Sequence, residues 1–112
     1  EQINISDRDP ALPDFSFLKF SAGIFKDMSI HSLDIIRWIL EEEIIEVFAQ
    51  GNVFIDKRIK TIPDFDTVSM ILKSKSGTLC QLINSRRHLA GFDQRVEVFC
   101  EKGNLLIVDY NV

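Results

Sequence analysis

An aspartate and a histidine four residues apart, Asp27 and His31, followed by Asp34, are the residues of this 112-residue chain whose types and spacing best suit chemistry. On a helix, side chains at i and i+4 are neighbours, so the carboxylate of Asp27 can hold one imidazole nitrogen of His31 and leave the other facing a ligand. That arrangement fixes the tautomer and raises the basicity of the free nitrogen, as a general base for a hydroxyl proton requires. The same spacing also fits a plain surface hydrogen bond. A third reading makes Asp27, His31 and Asp34 ligands of a divalent ion such as zinc or manganese. It lacks a second histidine-rich element, because the only other histidine, His88, sits beside the turn-like Ala90-Gly91, so no metal is expected.

These residues need a helix, and Ser21 to Leu40 reads as one long one. At about 100° per residue, with Asp27 at zero, His31 falls at about +40°, Asp34 at about −20° and Trp38 at about +20°. Ile24, Met28 and Ile35 flank this polar stripe on one side and Ile30 on the other, so the stripe is expected to face something other than open water. Phe25, Ile36, Ile39 and Leu40 form a second apolar face, and Lys26 and Arg37 a solvent edge. Ser21 offers a hydroxyl cap, with Ala22-Gly23 as a flexible entry, and Trp38 reads as the helix's packing end.

Elsewhere the pattern has a period of two. Ile3 to Ser6 alternates as a short strand, and Pro10 and Pro13 then keep the chain extended or looped, with Phe15, Phe17, Leu18 and Phe20 laying it across the body of the domain. From Ile44 the alternation places Ile45, Val47, Ala49, Gly51 and Val53 on one face and Ile44, Phe48 and Phe54 on the other. Thr67 to Lys73 turns at Ser76-Gly77 into Thr78 to Ser85 as a hairpin, and Arg95 to Cys100 turns at Lys102-Gly103 into Asn104 to Val108. About five strands after one helix predict an α+β fold, an open and mostly antiparallel sheet with one long helix packed on one face in two layers. The far face carries Phe48, Phe54, Ile71, Leu79, Ile83 and Phe99, and covering each such side chain is worth roughly 1.5–3 kcal/mol. That face is therefore expected to be covered, by further chain or by another subunit, which makes a homo-oligomer through the open sheet the natural partner.

Composition narrows the class. A 46% hydrophobic and 27% charged chain argues against disorder, and a net charge of −4 with basic residues scattered apart from Arg86-Arg87 leaves no footprint for nucleic acid. The pair Arg86-Arg87 reads as a strand-end charge cluster meeting a carboxylate, although an anionic ligand would also suit it. No apolar run approaches the roughly 20 residues of a membrane helix, and Glu1 to Ser6 contains no leader pattern. Cys80 and Cys100 lie in apolar runs, where buried reduced thiols and a cytoplasmic location are expected; the sequence leaves a Cys80–Cys100 disulfide open. Glu1 opens directly into an alternation and Val112 closes straight after an apolar run, so both ends read as cuts in a longer protein.

Gly23-Ile24-Phe25-Lys26-Asp27-Met28-Ser29-Ile30-His31, followed by Asp34, Arg37 and Trp38, resembles the substrate-domain helix of inositol 2-dehydrogenases in the glucose–fructose oxidoreductase/inositol dehydrogenase/MocA-like family. Ser6 with Arg8 to Pro10 resembles the segment entering that domain. Asn84 to Arg87, Gly91, Asp93 to Phe99 and Lys102-Gly103 resemble its later strands and turn, so the likeness covers nearly the whole chain.

The resemblance implies that residues 1–112 are the C-terminal substrate-binding and oligomerisation domain of a two-domain oxidoreductase. An N-terminal Rossmann domain holding NAD or NADP, and a final C-terminal segment, would lie outside this chain. It implies Asp27 and His31 as catalytic residues beside a lysine from the other domain, with His31 taking the hydroxyl proton, Asp27 orienting it or the substrate, and Asp34 contacting a polyol or sugar substrate. The chain has no G-x-G-x-x-G, so this part alone is expected to be inactive and to bind no cofactor. His88-Leu89-Ala90-Gly91-Phe92 lacks the tyrosines that inositol dehydrogenases place around that glycine, which puts inositol itself in question, and Ala22 replaces a second glycine. The alternative is a non-catalytic family member or separate domain that works by sheet-mediated assembly.

Overall fold

Alternation of apolar and polar residues builds the sheet, described for residues 1–110 in a computed structural model of the chain; Val112, read above as a cut end, lies outside them. The strands are β1 (Gln2–Arg8), β2 (Ile44–Asn52), β3 (Thr67–Ser74), β4 (Leu79–Ser85), β5 (Asp93–Cys100) and β6 (Gly103–Tyr110). They form one six-stranded sheet in the order β2-β3-β4-β1-β5-β6. Only β1 and β4 run parallel; the other pairs are antiparallel. The open, mostly antiparallel sheet with a helix on one face is thus present, with one strand before the helix and five after it, as the alternation predicts. Gly77, at φ 98°, makes the β3–β4 hairpin turn, its N–H donating to Ser74 O at 3.0 Å.

The core lies between sheet and helix. Ile3 and Ile5 of β1, Leu82 of β4, and Met70 and Leu72 of β3 are buried against Ile36, with Phe25, Leu33 and Leu40 packed around them. Helix α2 (Ile30–Leu40) follows a wide π-helical turn, Phe25–Ser29, in which Ile30 N–H donates five residues back to Phe25 O. The expected single helix from Ser21 is therefore shorter. A short helix, α1 (Phe15–Leu18), occupies the proline-flanked segment; its Leu18 is buried, while Phe17 and Phe20 stay exposed. Ser21 Oγ closes α1 by donating to Leu18 O, and Ala22 (φ 66°) and Gly23 (φ 91°) turn the chain through left-handed backbone. The new helix takes its cap from far away in sequence, Asp64 Oδ1 accepting Ile24 N–H at 2.9 Å.

Three further expectations change. Trp38 is 78% exposed and no packing end, because it lies two residues, about 200°, from the inward Ile36. A bulge between Ile44 and Glu46 brings Ile44 to the helix side opposite Ser74 and leaves Ile45 exposed, while Phe54 falls beyond the end of β2. Cys80 is buried beneath the helix, but Cys100 ends β5 outside that cover and is exposed; both thiols are free. Helix α2 stops at Glu41, whose φ of 54° supplies the left-handed residue usually given by glycine. On the far face Phe48, Ile71 and Leu79 are exposed, around a polar middle that includes Asn4, Gln81 and Glu97. Among the described residues no helix is long and apolar enough to cross a membrane.

Asp66 anchors the end of this scaffold nearest the candidate residues. Fully buried, its carboxylate accepts Phe54 N–H, Ile55 N–H and Thr67 Oγ1–H, and its own carbonyl accepts Arg86 N–H at 2.9 Å. Asp66→Ala is expected to lower stability by about 3 kcal/mol in equilibrium urea unfolding, because two backbone N–H groups lose a charged acceptor. A loss below about 1 kcal/mol would show that water replaces the carboxylate without cost.

Candidate active site

Three elements converge at one end of the sheet: the end of β1, the π-helical turn and the end of β4. Buried Asn84 ties them, its Nδ2 donating to Asp7 O at 3.3 Å and its Oδ1 accepting Ser29 Oγ–H at 2.6 Å. Two residues beyond Asn84, Arg86 continues the inward side of the strand's alternation. Its side chain is 1% exposed, and Nη1 donates to Asp27 Oδ2 at 2.9 Å. Asp27 is 28% exposed and opens onto a cavity of about 440 Å³ that Asp7, Asp9, His31 and Arg86 also line, with Phe17, Met28 and Phe92 as apolar wall.

Asp27 and His31 therefore share one cavity, but not the hydrogen bond expected from their spacing. Asp27 is turned to Arg86, because the wide turn departs from α-helical register and a buried guanidinium is the stronger partner. His31 is exposed, and among the described residues its ring makes no hydrogen bond. Asp34 is exposed one turn further along and lines a different groove, which His31 shares with Ile30, Leu33 and Arg37. Among the described residues these side chains do not gather into a set able to hold a metal ion. The strand-end reading of Arg86 as a partner of a carboxylate is the one observed, whereas Arg87 is exposed.

The cavity is rich in carboxylates. Burial pushes the Asp7 carboxyl above its ordinary value, and neighbouring Asp9 adds to the rise, while a positive charge on His31 opposes it. Burial likewise raises Asp9, opposed by Arg86 and reinforced by Asp27. Carboxylate oxygens accept hydrogen bonds only, so the wall suits a ligand bearing several hydroxyl donors, with an imidazole at hand to receive a proton. Asp7, Asp9 and Arg86 were not singled out as site residues from the sequence. Period-two parity was the available signal, since Ile3, Ile5 and Asp7, like Leu82, Asn84 and Arg86, alternate onto the helix side.

Known proteins are similar to this chain in sequence and fold. The family model described as the GFO/IDH/MocA C-terminal domain matches residues 2–106. The chain is 47% identical over 103 residues to the myo-inositol 2-dehydrogenase of Thermotoga maritima and 46% identical over 103 residues to the inositol 2-dehydrogenase of Rhizobium meliloti; each alignment covers 92% of this chain and 31% of the relative. Among solved structures it is similar to a probable dehydrogenase from Thermotoga maritima, with TM-score 0.90 and 46% identity over 100% of this chain and 33% of that one. A scyllo-inositol dehydrogenase from Lactobacillus casei, solved with bound NAD(H) and scyllo-inositol, gives TM-score 0.83 and 31% identity over 95% of this chain and 33% of that one. The chain spans about a third of the length of the curated relatives it matches.

Two outcomes are expected. Asp27→Ala deprives a fully buried guanidinium of its partner and should cost about 3 kcal/mol in urea unfolding, whereas His31→Ala at an exposed position should stay within about 0.5 kcal/mol. The Asp7 carboxyl, raised in the fold, contributes stability that is fully present below its ordinary pKa of 3.8 and is lost as pH rises through the higher folded value. Asp7→Asn should therefore raise the thermal midpoint at pH 7 relative to the native chain, with the gain shrinking toward pH 4. A gain that grew on acidification would contradict the sign.

Proposed function

The chain belongs to the GFO/IDH/MocA C-terminal domain family, and on that premise we propose that it is the substrate-binding and oligomerising domain of an NAD- or NADP-dependent dehydrogenase that oxidises a secondary hydroxyl of a polyol or sugar. The observation that carries this reading is the cavity in which Asp27 and His31 stand beside a wall of carboxylates. Asp7, Asp9 and Asp27 accept hydroxyl donors of the substrate and orient one carbon. An imidazole nitrogen of His31 takes the proton from that carbon's hydroxyl, and Asp34 supports the substrate or the histidine from the adjoining groove.

The dinucleotide is assigned no seat among the described residues. Gly23 precedes a helix start, the usual phosphate site, yet the first N–H there is already taken by Asp64, and a Cβ at Gly23 would lie 3.4 Å from that carboxylate. A phosphate would meet a negative charge. Cofactor binding and the partner lysine are accordingly assigned to the rest of the parent, where a bound nicotinamide supplies the hydride acceptor, and this chain alone is inactive.

The relatives named as inositol dehydrogenases favour an inositol or similar polyol as substrate. The free thiols of Cys80 and Cys100 suit a reducing cytoplasm. The exposed apolar residues Phe48, Ile71 and Leu79 support homo-oligomerisation through the open sheet face.

His31→Ala in the full-length parent should lower kcat for polyol-dependent NAD reduction by about 10² to 10⁴. Unchanged turnover of every accepted polyol would end the catalytic reading and leave assembly as the domain's role. Ile71→Lys should shift the parent to a smaller species in light scattering, and an unaltered mass would contradict the sheet interface.

A further inference from the structure

Resting on the dehydrogenase reading, we propose that Arg86 is a positioning residue for the oxidation: its buried Nη1 fixes Asp27 Oδ2, so that the other carboxylate oxygen of Asp27 is the one offered to the substrate. Arg86 does this at a cost that structure alone does not explain. Its guanidinium is removed from water, yet it has one side-chain partner, and Nε and Nη2 are buried with no hydrogen bond among the described residues. Buried ion pairs of this kind are commonly no more stable than a well-packed apolar side chain of similar volume. A purely architectural position would satisfy those N–H groups or dispense with the charge.

The position also has the rigidity that alignment requires. Asp66 O holds the Arg86 backbone N–H at 2.9 Å, and Asn84, two residues earlier, is bonded to Ser29 of the same turn that carries Asp27. The groups around Asp27 make such a hold necessary. Asp7 and Asp9 come from β1 and the loop after it, and His31 from the helix, all lining the same cavity. Asp9 feels both Arg86 and Asp27, so the guanidinium serves two carboxylates that repel each other. Without it Asp27 would swing toward solvent, and the substrate hydroxyl it holds would lose its orientation. Misplacement of about 1 Å is enough to cost about 10² in rate.

The test is a double-mutant cycle in the full-length parent, reading NAD reduction with myo-inositol as the probe. Arg86→Met should lower kcat by about 10² while changing KM less than about threefold, and Arg86→Lys should recover about tenfold of the loss. In an Asp27→Asn background the same Arg86→Met change should cost less than about twofold more, since the negative charge that the guanidinium holds is gone. If Arg86→Met is recovered unfolded, Arg86→Lys alone carries the cycle. It should lower kcat by about tenfold in the native background and by less than about twofold with Asn at position 27. Losses that multiply in the double variant, or native kcat in a folded Arg86→Met or Arg86→Lys protein, would overturn the positioning role and leave the dehydrogenase reading standing. A native parent that reduces NAD with no polyol would remove both.

Discussion

A guanidinium shut away from water must find a negative partner, and the one that Arg86 finds joins the sheet to the helix. Asp27 reaches it from the π-helical turn, 59 residues earlier in the chain, at 2.9 Å. Two neutral or capping contacts brace the same junction, Ser29 to Asn84 and Ile24 to Asp64. The three ties act on the turn before α2, so the candidate site sits on the best-fixed stretch of the helix layer. His31, one turn further on, is free to meet a ligand because none of these ties reaches it.

The sheet places the two proposed activities on opposite sides of one layer. Inward alternation of β1 and β4 ends in Asp7 and Arg86 at the cavity, and outward alternation of β2, β3 and β4 displays Phe48, Ile71 and Leu79. A subunit that covered the outer face would leave the cavity side open to the remainder of the parent. Substrate binding and assembly can therefore coexist, and the central strand β1 is the element through which one could affect the other.

Much of this was legible because strand period and turn chemistry are local. Ile3 and Ile5, Val68 to Leu72, and the Ser76-Gly77 turn follow directly from alternation and from the left-handed backbone that Gly77 adopts. What escaped depends on contacts distant in sequence. The cap on Ile24 comes from Asp64, so Ser21 was free to close the preceding helix instead. The π-helical turn undoes the even 100° spacing on which an Asp27–His31 pair rests, and an arginine from another strand takes the aspartate. Trp38 is exposed for a simpler reason: it lies about 200° around the helix from the inward Ile36. The resemblance of the helix residues carried the family correctly, because it draws on the combination of residues and not on any one contact.

In the proposed reaction a polyol occupies the cavity between Asp27 and His31 with its reacting hydroxyl at the imidazole. A crystal structure of the full-length parent with NAD and a bound inositol measures this directly. An imidazole nitrogen of His31 should lie within about 2.6–3.2 Å of one ring hydroxyl, with Asp27 still held by Arg86. Inositol seated outside this cavity, or beyond reach of His31 even through one water, would contradict it.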